Sequence, residues 1–207
     1  MRKKLLSSAI IYSFIAFISL AQSNYYDGIS VLSPTFISDL QNLIKQNYTF
    51  VSYDNYASTI LNNYERKDTT NGQSFVECVY SGYKYIYSGS FSWGTMSREH
   101  TWCVSWMPSS SGAQYSDQHH LFPTHQNNAN ARRSNYPLGE AVQVSYQFLE
   151  GKLGTDANGK IVYEPRDKHK GDAARALFYM AVRYDGVGGR WTLPSFQDEE
   201  VLKKWHK

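Results

Sequence analysis

The chain has 207 residues, which is enough for one well-buried domain. Its formal net charge of +3 comes from Arg2, Lys3 and Lys4, because the remaining 18 basic side chains are matched by 18 acidic ones. Apart from these three residues the chain is not strongly basic, so its bulk charge gives no argument for nucleic-acid binding. It indicates no other class of partner either.

The first 21 residues have the pattern of a secretory signal peptide. The basic start is followed by a mostly apolar stretch over residues 5–20, and small residues precede Gln22. The apolar stretch is short for a membrane span, which needs about 20 residues, and a membrane anchor is the alternative interpretation. We expect residues 22–207 to be the mature, secreted protein, with no membrane attachment once the signal is cleaved.

The first half of the mature chain changes from helical to extended patterns. Apolar residues recur at three- and four-residue steps over residues 35–44, and residues 56–64 offer a second helical stretch. After the turn signal Asn71-Gly72, β-rich residues at 75–80 and 83–87 flank Ser81-Gly82, which predicts a hairpin.

The second half predicts further strands and two helices. Residues 99–106 alternate loosely like a strand, and Pro123 is placed to open a helix that runs to about Arg133. A hairpin signal at 156–159 separates strand-like residues 146–149 from 161–163. Residues 173–184 form the clearest helix, with Ala173, Leu177, Met180 and Tyr184 on one face. These patterns together predict a single α+β domain.

Two cysteines, Cys78 and Cys103, remain in a chain that is expected to be exported. An even cysteine count in an oxidising compartment favours one disulfide, and such a loop stabilises a fold by roughly 3 kcal/mol in the chain-entropy model. Two separate buried thiols are the alternative.

Reactive side chains concentrate in three patches, at residues 98–100, 117–135 and 164–175. Neighbouring Glu99 and His100 point to opposite faces of a regular strand, and they share a site only where the strand ends or bulges. In a shared site, the carboxylate and an Asn carbonyl can hold a hard cation such as Mg²⁺ while the neutral imidazole takes a proton from water. No zinc motif is present. Taken singly, each patch also fits a surface pair, a turn or an ordinary packed helix.

The order of these patches resembles the endonuclease I family of secreted bacterial nucleases, which have a ββα-metal (His-Me finger) core. The resemblance covers most of the mature chain, and its four motifs lie at residues 98–100 (Arg-Glu-His), 116–123, 129–140, and 164–165 together with 170–180. Four motifs in the same order are far more specific than any one of them. The resemblance implies a ββα-metal finger over roughly residues 100–135.

The resemblance also implies a reaction and its residues. The expected activity is metal-dependent, non-specific endonuclease hydrolysis of phosphodiester bonds in DNA, and often RNA, by a monomer. His100 is the expected general base, and Glu99 and Asn130 are the expected ligands of one divalent cation, Mg²⁺ first, with Ca²⁺ or Mn²⁺ as alternatives. Arg133 and Arg175 match basic positions of the family and are candidates for phosphate contacts.

Two departures from the family pattern leave a rival interpretation open. Some relatives carry a Glu where this chain has Tyr115, and Asp117 is the nearest carboxylate to replace it. Relatives usually continue past a Trp-His pair like that at 205–206, whereas this sequence ends at Lys207, so a C-terminally truncated domain is one interpretation. The rival is a secreted binding module, derived from such a nuclease, that is catalytically weak or inactive.

Overall fold

The computed structural model describes residues 25–184 and 193–207. The predicted signal peptide lies outside these residues. Within them, no helix is both long and apolar enough to cross a membrane.

Helices and strands are mixed along the chain, as the predicted α+β class requires. The α-helices are α1 (Phe36–Lys45), α2 (Gly112–Ser116), α3 (Ala131–Arg133), α4 (Asp167–Arg183) and α5 (Glu199–His206). Within the described ranges, two segments are π-helical, Ala57–Glu65 and Gln126–Asn130, and three short 3₁₀ turns are Tyr53–Asn55, Val104–Trp106 and Gln118–His120. The strands are β1 (Lys67–Asp68), β2 (Ser74–Glu77), β3 (Lys84–Tyr87), β4 (Met96–His100), β5 (Leu121–His125), β6 (Gln143–Phe148), β7 (Gly151–Thr155) and β8 (Ile161–Glu164).

Three antiparallel sheets form in the described part of the chain: β1-β2-β3, β4-β5 and β6-β7-β8. The backbone N–H of Val79 donates to the carbonyl of Pro123 at 3.0 Å, which joins the end of the first sheet to β5. The predicted hairpin around Ser81-Gly82 is confirmed, because β2 pairs with β3 from Glu77 opposite Lys84.

The helices pack around a core that is centred on α4. The four residues predicted to share a face, Ala173, Leu177, Met180 and Tyr184, are all buried. This helix begins earlier than its periodicity suggested, at Asp167. On α1, the Gln41 side chain donates to the Val182 carbonyl of α4 at 3.1 Å.

A β-β-helix unit is formed by β4, β5 and the helical segment that follows them. That segment, which we call the finger helix, joins the π-helical turn Gln126–Asn130 to α3. It begins after Pro123, so the predicted helix start was wrong. Pro123 lies inside β5, and the helix starts where His125 Nδ1 accepts from the Asn128 N–H at 3.2 Å.

Two other strand predictions need correction. The strand expected over residues 99–106 is β4, which ends at His100, and Val104–Trp106 is a 3₁₀ turn. The turn at 156–159 joins β7 to β8, and no sequence pattern predicted β7.

The expected disulfide is absent from the structure. Cys78 and Cys103 are both buried free thiols. The Cys103 sulfur contacts the Arg133 guanidinium and lies 3.6 Å from the Ser134 carbonyl oxygen. Burial raises the pKa of the Cys103 thiol to about 12, which keeps it protonated and unreactive.

Candidate active site

The end of β4 places Glu99 and His100 at one site. The strand pairs with β5 from Met96 opposite His125 to His100 opposite Leu121, and His100 is its last residue. Both residues line one open cleft at this end of the strand.

This cleft has a volume of about 500 Å³ and draws on β4, the turn after it and the finger helix. Its lining residues are Arg98, Glu99, His100, Cys103, Val104, Ser105, Asn130, Ala131, Arg133, Ser134 and Asn135. The structure therefore brings together Glu99, His100 and Asn130, which were predicted to share one site.

The His100 imidazole is buried, and two groups hold it. One comes from outside the β-β-helix unit, and the other comes from the loop between β4 and β5. Its Nε2 lies 2.8 Å from the Tyr115 carbonyl oxygen, and its ring stacks on Tyr53 at 5.1 Å with an interplanar angle of 11°. A carbonyl oxygen can only accept a hydrogen bond, so Nε2 carries the proton and Nδ1 keeps its lone pair. Burial lowers the pKa of His100 to about 4, so the ring is neutral and able to accept a proton at neutral pH.

Glu99 is buried beside Arg133, which comes from the finger helix. The Arg133 Nη1 donates to Glu99 Oε1 at 3.1 Å and to the His100 carbonyl at 3.2 Å, and Nη2 donates to the Thr101 carbonyl at 2.7 Å. Burial raises the pKa of the Glu99 carboxyl, and the Arg133 guanidinium offsets part of that rise by favouring the carboxylate.

The two arginines that were predicted to contact phosphate, Arg133 and Arg175, do not both lie in the cleft with the predicted base and metal ligands. Arg133 is 0% exposed, and its donors are directed to Glu99 and to backbone carbonyls. Its exposed neighbour Arg132 lies over the Tyr146 ring at 4.4 Å. Arg175 forms a surface ion pair with Asp172 on α4 and does not line the cleft. Phosphate contact by Arg133 and Arg175 stays a prediction.

Asn130 reaches the cleft from the finger helix. Its Nδ2 donates to the Ser97 hydroxyl at 3.0 Å, which leaves the amide oxygen on the opposite side of the group. One carboxylate and one amide oxygen in a shared cleft form a donor set that suits a hard cation, which keeps several waters. Within the residues that the structure describes, no group of three or more His, Cys, Asp or Glu side chains could hold a metal. The fit therefore depends on two protein ligands, Glu99 and Asn130.

Two tyrosines of the site were not predicted. Tyr53 lies in a 3₁₀ turn far from β4 in sequence, and no motif marks it. Tyr115 acts through its backbone carbonyl, which no side-chain pattern can indicate. Asp117, considered as a replacement carboxylate, is buried against His119, Tyr179 and Tyr184 and does not line the cleft.

Comparison with known proteins agrees with the motif order. The family model described as Endonuclease I matches residues 33–207. An extracellular ribonuclease of Bacillus subtilis (strain 168) is 27% identical over 199 residues, which cover 88% of this chain and 65% of that relative. An extracellular ribonuclease of Bacillus amyloliquefaciens is 29% identical with the same coverage, so the chain spans 65% of the length of either relative. No solved structure matches the chain significantly.

Proposed function

Because the chain belongs to the endonuclease I family, we propose that it is a secreted, metal-dependent nuclease that hydrolyses phosphodiester bonds with His100 as the general base. The β-β-helix unit would then be the ββα-metal finger of this family. The observation that carries the proposal is the Nε2 contact of His100 with the Tyr115 carbonyl, in the cleft that also contains Glu99 and Asn130.

In the proposed reaction, His100 Nδ1 takes a proton from a water molecule. The water oxygen forms a bond to phosphorus, and the bond from phosphorus to the 3′-oxygen breaks with its electron pair on that oxygen. The 3′-oxygen then takes a proton from solvent to become a hydroxyl, and the imidazolium returns its proton to solvent. The neutral imidazole favours this role, because a ring protonated at both nitrogens has no lone pair to accept the proton.

Glu99 and Asn130 would hold a divalent cation in this cleft, with Mg²⁺ as the first candidate and Ca²⁺ or Mn²⁺ as alternatives. When bound, such a cation stabilises negative charge on a phosphate oxygen and on the leaving oxygen. Arg133 supports the site from behind, since it fixes the Glu99 carboxylate and two carbonyls at the end of β4.

The substrate class follows from the phosphodiester chemistry and from the relatives. Both curated relatives are named ribonucleases, which supports RNA as a substrate beside DNA. They are also named extracellular, which together with the leader pattern of residues 1–21 supports secretion. We expect recognition of the phosphate backbone with little reading of base sequence.

Cleavage of labelled duplex DNA and of labelled RNA by wild type and His100→Ala tests the proposal. Wild type should cleave with Mg²⁺ and stop with EDTA, and His100→Ala should lose roughly 10²- to 10⁴-fold in rate, the usual contribution of a positioned base. Circular dichroism should match between the two. An equally active His100→Ala protein would overturn the mechanism.

The same assay tests the rival function. Binding of either nucleic acid with no cleavage in Mg²⁺, Mn²⁺ or Ca²⁺ would indicate a binding module that has lost catalysis. Cleavage that resists EDTA would instead remove the metal from the mechanism and leave Glu99 and Asn130 with structural roles.

A further inference from the structure

Among the described residues, two arginines line the cleft, and their N–H donors have different partners. Arg133 is 0% exposed and donates to Glu99 and to backbone carbonyls. The Arg98 side chain is 19% exposed, and its Nη1 donates to the Tyr53 carbonyl at 2.7 Å. Its other polar neighbours in the described part of the chain are the exposed Asp54 carboxylate and the Tyr53 hydroxyl, which do not engage all five N–H donors of a guanidinium. Arg98 is therefore the cleft cation with donors available to a ligand.

The Arg98 guanidinium is held in place by two aromatic rings. Its central carbon lies 3.9 Å from the centroid of the Tyr53 ring and 5.2 Å from that of Trp93. Arginine is weakly hydrated and stacks well on aromatic faces, so this packing orders its planar fork before any ligand arrives. An ordered donor loses less conformational entropy when it binds.

The neighbouring carboxylate does not neutralise this cation effectively. Asp54 lies 3.6 Å from Arg98 Nη1, but its side chain is 91% exposed. An exposed ion pair of this kind contributes little, because water and salt screen it. An anion that enters the cleft can displace Asp54 at small cost.

We propose that Arg98 binds a substrate phosphate in the catalytic cleft. The inference rests on the proposed nuclease function and adds a phosphate-binding residue to it. Arg98 and His100 are two residues apart on β4, so their side chains leave the strand on the same side, with Cα atoms about 7 Å apart. Both residues line the cleft that a substrate phosphate would enter.

Tyr53 connects the two groups. The same side chain stacks on the His100 ring and lies under the Arg98 guanidinium. It acts as a positioning residue, since it fixes the base and the phosphate-binding cation relative to each other. The purely structural alternative is that Arg98 serves only to hold Tyr53 over His100.

Phosphate binding and a structural role differ in their salt dependence. A cation that contacts phosphate releases a counterion when nucleic acid binds, which adds about 0.9 to the slope of log affinity against log salt concentration for duplex DNA. A residue that only braces Tyr53 changes the cleavage rate and leaves this slope unchanged.

The test measures affinity for a fluorescent duplex DNA oligonucleotide by anisotropy across a salt series, in the His100→Ala background to prevent cleavage. Arg98→Gln should weaken binding roughly tenfold at low salt and lower the slope by about one. Arg98→Lys keeps the charge and loses the planar fork, so its slope should stay near that of the parent while its affinity falls.

Arg183→Gln is the matched control, because Arg183 also lies over a tyrosine ring, 4.9 Å from Tyr48, and does not line the cleft. It should bind like the parent. If Arg98→Gln keeps the affinity and slope of the parent, Arg98 does not bind phosphate, even where the cleavage rate of the single variant falls. Failure of the nuclease proposal itself is separately visible, since wild type with His100 intact would then not cleave the oligonucleotide.

Discussion

The imidazole of His100 is oriented by residues that no single sequence motif contains. Tyr53 stacks on it from a 3₁₀ turn near the start of the domain, and the Tyr115 carbonyl fixes its tautomer from the loop between β4 and β5. The motif Arg-Glu-His therefore specifies which residue is the candidate base, while the surrounding chain determines which nitrogen can act.

The sequence predicted the members of the cleft better than their contacts. Glu99, His100 and Asn130 were expected to share a site and do line one cleft. The burial of Arg133 was not predictable, because Arg132 and Arg133 differ only by about 100° around the finger helix. The exact position of the helix start decides which one faces the core.

Variants of the two expected metal ligands should raise the Mg²⁺ concentration that cleavage requires, while the general base His100 stays in place. We expect Glu99→Gln to raise the Mg²⁺ concentration for half-maximal activity by at least roughly tenfold, since a full negative charge is lost from the site. Asn130→Ala should raise it less, because only a neutral oxygen is removed. Magnesium titration of cleavage, with direct metal binding by calorimetry, measures both effects.

His100→Ala is the matched control for these two variants. It should bind metal nearly as wild type does, since the imidazole is not a ligand in this mechanism. Unchanged magnesium requirements in both Glu99→Gln and Asn130→Ala would show that the cation, if needed, binds elsewhere.

Among the elements, the short 3₁₀ turn before β5 is fixed to α4 by one buried carboxylate. Asp117 accepts from the Tyr179 hydroxyl at 2.9 Å and the Tyr184 hydroxyl at 2.8 Å, and from His119 Nδ1 at 2.8 Å. Burial alone would raise the pKa of Asp117, but the hydrogen bonds from His119 and Tyr184 keep it below its ordinary value.

We expect Asp117→Asn to destabilise the fold by about 2 kcal/mol, because an amide has one acceptor oxygen and cannot serve both the two tyrosine hydroxyls on Oδ2 and the two His119 donors on Oδ1. Urea unfolding measures the change. Asp172→Asn, which breaks an exposed ion pair with Arg175 on α4, should change stability by less than about 1 kcal/mol. Equal effects of the two substitutions would contradict the importance of the Asp117 contacts.

Strand β7 shows why some elements were not predictable. It contains Gly151 and Gly154, and glycine carries no strand signal. A Cβ at Gly154 would overlap the backbone carbonyl of Gln143 on β6, next to the register shift between Val144 and Tyr146. Gly154 weakens the local strand pattern, yet a glycine is required there because the Gln143 carbonyl leaves no room for a Cβ. Only the folded sheet brings that carbonyl close. By contrast, the periodic segments that became α1 and α4 were predicted because their signal is local.

For the whole molecule, buried histidines make stability depend on pH. Burial lowers the pKa of His120 to about 3 and that of His169 to about 4, below the ordinary value of 6.5. Below pH 6.5 the unfolded chain takes up protons that the folded chain does not, so stability falls from about pH 6.5 down to the folded-state pKa. The loss is at most about 1.4 kcal/mol per pH unit for each histidine.

His169 lies away from the cleft, between the rings of Tyr80 and Phe122, so its variant tests this expectation cleanly. The melting temperature of wild type should fall between pH 7.5 and pH 5. The fall should be smaller for His169→Gln, because glutamine does not titrate. His206→Gln, at an exposed position of α5, is the control and should reproduce the wild-type fall. A pH profile of His169→Gln that is identical to that of wild type would contradict the role of burial.

The β4–β5 pairing has a consequence for the order in which the chain folds. Residues 78–83 and 156–160 close the β2–β3 and β7–β8 hairpins, whereas residues 101–120 separate the paired ends of β4 and β5. Short hairpins form within microseconds, and bringing distant segments together costs more chain entropy before any contact forms. The His100 ring in the cleft also needs Tyr53, which comes from a segment before the first sheet. Assembly of the cleft is therefore expected late in folding, after both short hairpins exist, and neither hairpin alone contains any part of it.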